Sequence, residues 1–393
     1  GLGVRVVMGA DGGVPEAVEA NNPWPAAGDA AGFTVVARDP LPVRLVPVYQ
    51  EVNGALGDVT GANAPDYVAA SRQLLPTPDV DVDLHDVFTT SAPPLQADDD
   101  NRAWLRILTE LTGLRAMEEH QGRHYYGVVR CTYDSGIAGL GRLPGYVAMG
   151  WDVPGSRTEV MAHELGHNLG LRHAPCGGPA GVDPDYPYAD ALIGAWGFDV
   201  VREMVHDPTV DHDLMSYCRP KWISDYMYEQ VLAFTPPAEP TVPAVRTACL
   251  LVWGRLEGGR PVLDPAVEVT AAPSPPPAPG PWTLTVTGEA GEPLVATSFA
   301  MPAIGCAGRG ESAFAWALPL PASKASAVAR VVLDGPAGQA VTARSAAAKA
   351  AGARPTPSLA RSGDLSLRWD GEAYPLVVVR RGRTGDVVAV GRD

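Results

Sequence analysis

Apolar and polar positions alternate with two different rhythms along this chain, and the change of rhythm marks its organisation. Val43-Arg44-Leu45-Val46-Pro47-Val48 reads as a strand, Pro65 to Leu75 as a helix, and the alternation through Val80, Val82, Leu84 and Val87 as a return to strand. Asp98-Asp99-Asp100-Asn101 precedes the helical run Trp104, Leu105, Leu108, Leu111, where acidic and amide side chains cap free N–H groups and match the helix dipole. Tyr125 to Val129 predicts the next strand and Gly136 to Met149 a glycine-rich hairpin region. A further helix follows, with Ser156 and Glu159 spaced as a capping box and Met161, Leu165 and Leu169 on one apolar face.

Beyond that helix the rhythm breaks. From His173 to Met215 the chain is rich in Pro, Gly and Asp and predicts mostly irregular structure; Trp222-Ile223-Ser224-Asp225 then introduces a helix to about Phe234, capped by Ser224 or Asp225. Pro236, Pro237 and Pro240 mark a boundary, and from Leu250 onward short β-rich segments such as Trp282–Thr287 and Leu365–Trp369 alternate with Gly, Pro and Asp. Pro273 to Pro281 reads as an extended link, and Ala346–Ala351 as either a short helix capped by Ser345 or an alanine-rich loop. The first forty residues carry one strand pattern, Val4 to Met8, then Pro and Gly punctuation through Asn21-Asn22-Pro23-Trp24-Pro25. The expected parts are a 1–40 lead or pro-segment remnant, a 41–235 mixed helix-and-strand domain and a 236–393 β region of one or two units.

The chemistry is concentrated in His163-Glu164-Leu165-Gly166-His167-Asn168-Leu169-Gly170-Leu171-Arg172-His173. Residues four apart on a helix share a face about 6 Å apart along the axis, so His163 and His167 can address one ion. His173 would lie roughly 9 Å along and about 240° around a continuing helix, so the chain must turn. Gly170 permits the turn, because glycine takes the left-handed conformation that ends helices. Three neutral histidines leave the fourth zinc position open, as in catalytic sites. With 8 His and 43 Gly in 393 residues, the five fixed positions coincide by chance on the order of 10⁻⁵ times per chain.

The pattern H-E-x-x-H-x-x-G-x-x-H resembles that of metzincin zinc proteases, in which the glutamate is the general base that activates water on the zinc. The resemblance implies that His163, His167 and His173 hold one Zn²⁺ and that Glu164 is the base. Asp213-Leu214-Met215-Ser216-Tyr217-Cys218 looks like the family's methionine turn, which puts Met215 beneath the histidines and gives Tyr217 a role in stabilising the oxyanion. Cys176 and Cys218 fall in two segments that converge beneath the metal on this reading and are expected to form a disulfide. Cys249 and Cys306 could then pair within the tail, leaving Cys131 odd. Trp196, Phe198 and Tyr188 become candidates for a substrate pocket, and the 136–149 stretch for the edge that pairs with an extended peptide. The implied fold is an α+β metzincin domain, a twisted mixed sheet plus the active-site helix, followed by an all-β immunoglobulin- or fibronectin-like domain.

Composition narrows the setting. A hydrophobic share of 46% and a charged share of 19% suit globular folds, and a net charge of −15 argues against nucleic acid and anionic membrane surfaces as partners. No apolar run reaches membrane-spanning length. The opening Gly1-Leu2-Gly3 fits a trimmed or mature form, and the disulfide an oxidising compartment, so a secreted monomer is expected. The first forty residues contain no cysteine, so no thiolate from that stretch can cap the zinc; Asp11 or Asp29 could do so in principle. Calcium binding by Asp98–Asp100 lacks the ligand spacing of a known loop. The leading expectation is an endopeptidase of extracellular proteins. Its alternatives are a glycoprotein- or mucin-directed protease targeted by the tail, and an inactive metalloprotease-fold adhesion protein.

Overall fold

The computed structural model describes residues 2–7, 23–25, 29–33, 35–236, 245–277, 279–306, 310–320, 324, 327–344, 358–362, 364–371, 374–383 and 385–392. Asp11, Asn21, Asn22, Pro237, Pro240 and the candidate helix Ala346–Ala351 with Ser345 lie outside them. Two compact units result, Gly1–Pro40 and Leu41–Asp393. The first holds two short antiparallel pairs, β1 (Leu2–Val4) with β4 (Ala31–Phe33) and β2 (Val6–Val7) with β3 (Pro23–Trp24).

The second unit begins with β5 (Leu41–Gln50), β6 (Ala55–Leu56), α1 (Ala64–Leu74), β7 (Val80–Leu84), β8 (Phe88–Thr90), α2 (Ala103–Met117), β9 (His124–Val129), β10 (Gly139–Leu143), β11 (Val147–Trp151) and α3 (Arg157–Asn168). Four short strands follow, β12 (Gly197–Asp199), β13 (Met204–His206), β14 (His212–Asp213) and β15 (Lys221–Trp222), then α4 (Asp225–Ala233). The remainder is β structure: β16 (Thr247–Glu257), β17 (Arg260–Leu263), β18 (Val267–Ala271), β19 (Trp282–Gly288), β20 (Pro293–Phe299), β21 (Ala303–Gly305), β22 (Ser312–Pro319), β23 (Val328–Gly335), β24 (Gly338–Ala343), β25 (Ser358–Ser362), β26 (Asp364–Arg368), β27 (Leu376–Arg380) and β28 (Val387–Arg392).

A ten-stranded mixed sheet organises the unit, with the order β21-β10-β11-β9-β5-β8-β28-β27 and with β6 and β7 also paired to β5. Its side chains alternate between two cores, as period-two strands require. Val43 and Leu45 of β5 and Tyr126 and Val128 of β9 face α1 and α3, whereas Val46, Val48, Tyr125 and Val129 face α2. Gly127 is small because Leu111 of α2 occupies the place of its side chain, 2.4 Å from where a Cβ would stand.

Capping follows the sequence at two helices and departs from it at the third. Asp99 accepts from the Trp104 amide at 2.8 Å at the start of α2, and Ser224 accepts from Met227 at 3.1 Å in α4. The Ser156–Glu159 capping box does not form: the Ser156 hydroxyl meets Val153 O at 3.4 Å, and Glu159 instead pairs with Arg219 at 2.7 Å. An ion pair from a distant segment has taken the carboxylate that the local motif would have used.

The β region folds into two four-stranded sheets, β16 with β17, β18 and β22, and β20-β19-β23-β24. Leu250, Val252, Phe314 and Trp316 of the first meet Leu284, Val286 and Leu333 of the second in one apolar core. The opposite face of the first sheet, through Leu251, Trp253, Ala313 and Ala315, joins the α2 core. Trp253 lies so close to α2 that a Cβ on Gly113 would stand 2.8 Å from its ring. Strands of this region also occupy both ends of the mixed sheet, β21 beside β10 and β28-β27 beside β8.

Candidate active site

Helix α3 carries His163, Glu164 and His167 and lies against β10 and β11 because β10 has almost no side chains in the way. A Cβ on Gly139 would stand 2.6 Å from Glu164 Oε1, and one on Gly141 2.7 Å from the Glu164 carbonyl oxygen. The far end of α3 is tied to the hairpin by Asn168, whose amide donates to Arg142 O at 2.9 Å and Val147 O at 3.0 Å.

The helix ends in a Schellman turn. Gly170 N–H donates to His167 O at 2.9 Å and Leu171 N–H to Gly166 O at 3.0 Å, with Gly170 at φ +91°. The reversal returns His173 to the first two histidines: the imidazole centroids are 4.9 Å (His163–His167), 5.2 Å (His163–His173) and 4.7 Å (His167–His173) apart.

Each imidazole is oriented by a backbone carbonyl. His163 Nδ1 meets Leu214 O at 3.0 Å, His167 Nδ1 meets Leu171 O at 2.7 Å, and His173 Nδ1 meets Ala180 O at 2.5 Å. A carbonyl only accepts, so each Nδ1 carries the proton and each Nε2 presents a lone pair. The lone pairs converge, with His163 Nε2 and His173 Nε2 3.2 Å apart. Burial above all, with the neighbouring imidazoles second, holds His163 well below the usual histidine range, and the same causes lower His167 to about 3.

Glu164 points into the same space. Its Oε2 is buried without a hydrogen-bond partner, and burial raises its pKa well above the ordinary carboxylate value. Below the histidines Met215 is buried against Gly166, where a Cβ would come 2.7 Å from the sulfur. Asp213 holds this turn, accepting from Met215 N and Ser224 N at 2.7 Å each. Tyr217 lies at the rim, 48% exposed, its ring 5.3 Å from that of His173.

The Cys176–Cys218 disulfide is formed, with Cα atoms 5.7 Å apart, and Tyr217 N–H donates to Cys176 O at 2.9 Å beside it. The expected Cys249–Cys306 pair is not formed: both cysteines are free, as is Cys131. Cys249 is buried in the β region, whereas Cys306 reaches the histidines, its Sγ 3.3 Å from His163 Nε2, 3.3 Å from His167 Nε2 and 3.2 Å from His173 Nε2. Sequence reasoning missed this residue; the odd number of cysteines was the only signal. It missed Lys221 also, whose ammonium donates to Leu214 O at 3.2 Å, the same carbonyl that orients His163.

One further expectation changes. The outer edge of β10, read as the place for a peptide, is paired with the chain's own β21, Gly141 opposite Gly305 and Leu143 opposite Ala303. Trp196, just before β12, and Phe198, on it, are 68% and 57% exposed, and Tyr188 donates to Asp225 at 2.8 Å.

Three imidazole nitrogens and a thiol, with a buried carboxylate alongside whose Oε2 has no hydrogen-bond partner, make a donor set that suits zinc. A family model described as Peptidase M66 matches residues 130–225, the stretch that includes the motif, the disulfide and Met215. The match supports a metallopeptidase. Among solved structures the chain is similar to archaemetzincin from Methanopyrus kandleri, at 19% identity over 36% of this chain and 80% of that one, with a TM-score of 0.24. It is also similar to metalloproteinase-II from Bacteroides fragilis, at 16% identity over 52% of this chain and 56% of that one, with a TM-score of 0.29. No curated protein matches the chain.

Proposed function

We propose that the protein is a zinc endopeptidase of the metzincin type that cleaves exported or extracellular proteins. The observation that carries this is the convergence of three imidazoles, each locked at Nδ1, on one point beside a buried carboxylate. Zinc held by His163, His167 and His173 would supply Lewis acidity for a peptide carbonyl and for water. Glu164 takes the proton of the attacking water and passes it to the leaving amine. Tyr217, half-exposed and with its ring 5.3 Å from that of His173, donates to the developing oxyanion. The disulfide supports an oxidising compartment, and the two packed antiparallel sheets of the β region support an immunoglobulin- or fibronectin-like reading of the tail.

The test measures zinc content and casein cleavage for Glu164→Gln and His167→Ala, each with and without Cys306→Ala because that thiol sits at the point of convergence. Zinc should be bound stoichiometrically unless His167 is lost. Cleavage in the Cys306→Ala background should fall about 10³-fold with Glu164→Gln. A zinc-loaded Glu164→Gln protein that cleaves as fast as its parent would falsify the general-base assignment.

A further inference from the structure

We propose that Cys306 is the fourth ligand of the metal and that Ala303–Cys306 is a built-in occupant of the cleft that holds the enzyme latent. The proposal rests on the metallopeptidase reading and adds the means by which this chain controls it. Nothing in the histidine motif requires a fourth protein ligand, and a closed four-ligand shell belongs to structural zinc sites, whereas catalytic ones keep a position open.

The four ligand atoms have the dimensions of one coordination shell. Tetrahedral arms of about 2.0 Å to nitrogen and about 2.3 Å to sulfur imply nitrogen–nitrogen edges of about 3.3 Å and nitrogen–sulfur edges of about 3.5 Å. The observed edges are 3.2 Å between His163 and His173 and 3.2 to 3.3 Å from Cys306 Sγ to the three imidazoles. The thiol is also 3.5 Å from Glu164 Oε1, so it engages the carboxylate assigned to the chemistry as well as the three imidazoles. Ligation replaces the S–H bond by a sulfur–metal bond and releases one proton to solvent.

The main chain is shaped for the same purpose. β21 runs antiparallel along β10 in the register Gly141–Gly305, Arg142–Ile304 and Leu143–Ala303, using the backbone groups that an added peptide strand would need. Gly305 lies against His167 so closely that a Cβ would stand 2.3 Å from the imidazole, and Cys306 then adopts φ +62°, which turns the thiol to the histidines. The segment is anchored behind: Ser312, at the start of β22, donates to Pro302 O at 2.6 Å, and β22 is built into the sheet that packs on α2. The blocking strand is thus integral to the fold. Releasing it means displacing or chemically blocking the Cys306 thiolate.

Cobalt substitution of the full chain provides a readout independent of turnover. Wild type should show a sulfur-to-cobalt charge-transfer band together with visible ligand-field bands. Cys306→Ala should keep the ligand-field bands, lose the charge-transfer band and cleave casein at least tenfold faster than wild type. Ligand-field bands without charge transfer in wild type would overturn thiolate ligation while leaving the metal site intact. No cobalt binding by either protein would overturn the metal-site reading and the proposal with it. Wild-type cleavage equal to that of Cys306→Ala would overturn latency. Should the variant not fold, iodoacetamide labelling of wild type, mapped by peptide mass, decides the matter. Cys306 should be protected in the zinc form and labelled at least tenfold faster after chelation, with Cys131 and Cys249 as internal controls; equal labelling rates overturn ligation.

Discussion

Each imidazole of the site depends on a carbonyl that the eleven-residue motif only partly contains. Leu171 O, which orients His167, belongs to the motif, whereas Leu214 O and Ala180 O come from segments that follow it. Tyr217, the oxyanion donor proposed above, also lies outside the motif, its ring 5.3 Å from that of His173. Tyr217→Phe in the Cys306→Ala background should lower kcat about 10²-fold with KM nearly unchanged, as loss of one oxyanion donor does; steady-state kinetics on a fluorogenic peptide would check this, and an unaltered kcat would remove Tyr217 from the mechanism. A second residue-scale prediction concerns His85, whose Nε2 lies 3.1 Å from Glu118 Oε1 in a buried pair. Burial lowers the His85 pKa, but the hydrogen bond and charge of Glu118 outweigh it, and the net shift is upward. A raised folded-state pKa gives stabilisation that is complete below the unfolded value of about 6.5 and fades as pH rises through the folded value. Urea midpoints between pH about 5.5 and about 8.5 should therefore fall less in His85→Gln than in wild type.

Among the elements, the segment of helix α3 and the turn at Met215 are joined by a covalent tie and by complementary small residues. Gly166 admits Met215 beneath the helix, and Gly139 and Gly141 admit the helix onto β10. The disulfide closes a separation of 42 residues between the third histidine's segment and the Met215 turn. Loss of the cross-link in a Cys176→Ser/Cys218→Ser protein should cost about 4 kcal/mol by the chain-entropy relation for a loop of this length. Urea denaturation of zinc-loaded wild type and variant would measure it, and a difference under about 1 kcal/mol would mean that the turn is held without the bond. The element order from β5 to α3 was legible because its periodicity is local. The hairpin β12–β13 was not: its stretch read as mostly irregular, yet Gly197–Asp199 and Met204–His206 pair as antiparallel strands.

At the scale of the whole molecule, the β region is part of the architecture of the catalytic one. β16 buries both faces, Leu250 and Val252 toward the second sheet and Leu251 and Trp253 toward α2. Trp253→Ala should lower stability by about 3–5 kcal/mol and do so for catalytic and β-region probes together. Hydrogen exchange at α2 and at β19 would report whether the two respond jointly; a loss confined to β19 would show that they unfold separately.

The sequence by itself determined what chain-local geometry can express. Residues four apart on a helix and a glycine at its end bring three histidines together, and a two-residue alternation makes strands with two apolar faces. The tertiary structure decided which distant groups complete those parts. Glu159 left its capping box for Arg219, Lys221 came to the carbonyl that orients His163, and β21 took the edge of β10. Cys306 reached the histidines from 133 to 143 positions away in the chain. No periodicity encodes a contact of that span, because a single cysteine has the same local pattern wherever its strand is paired. Sheet register along β10 is what fixed its place.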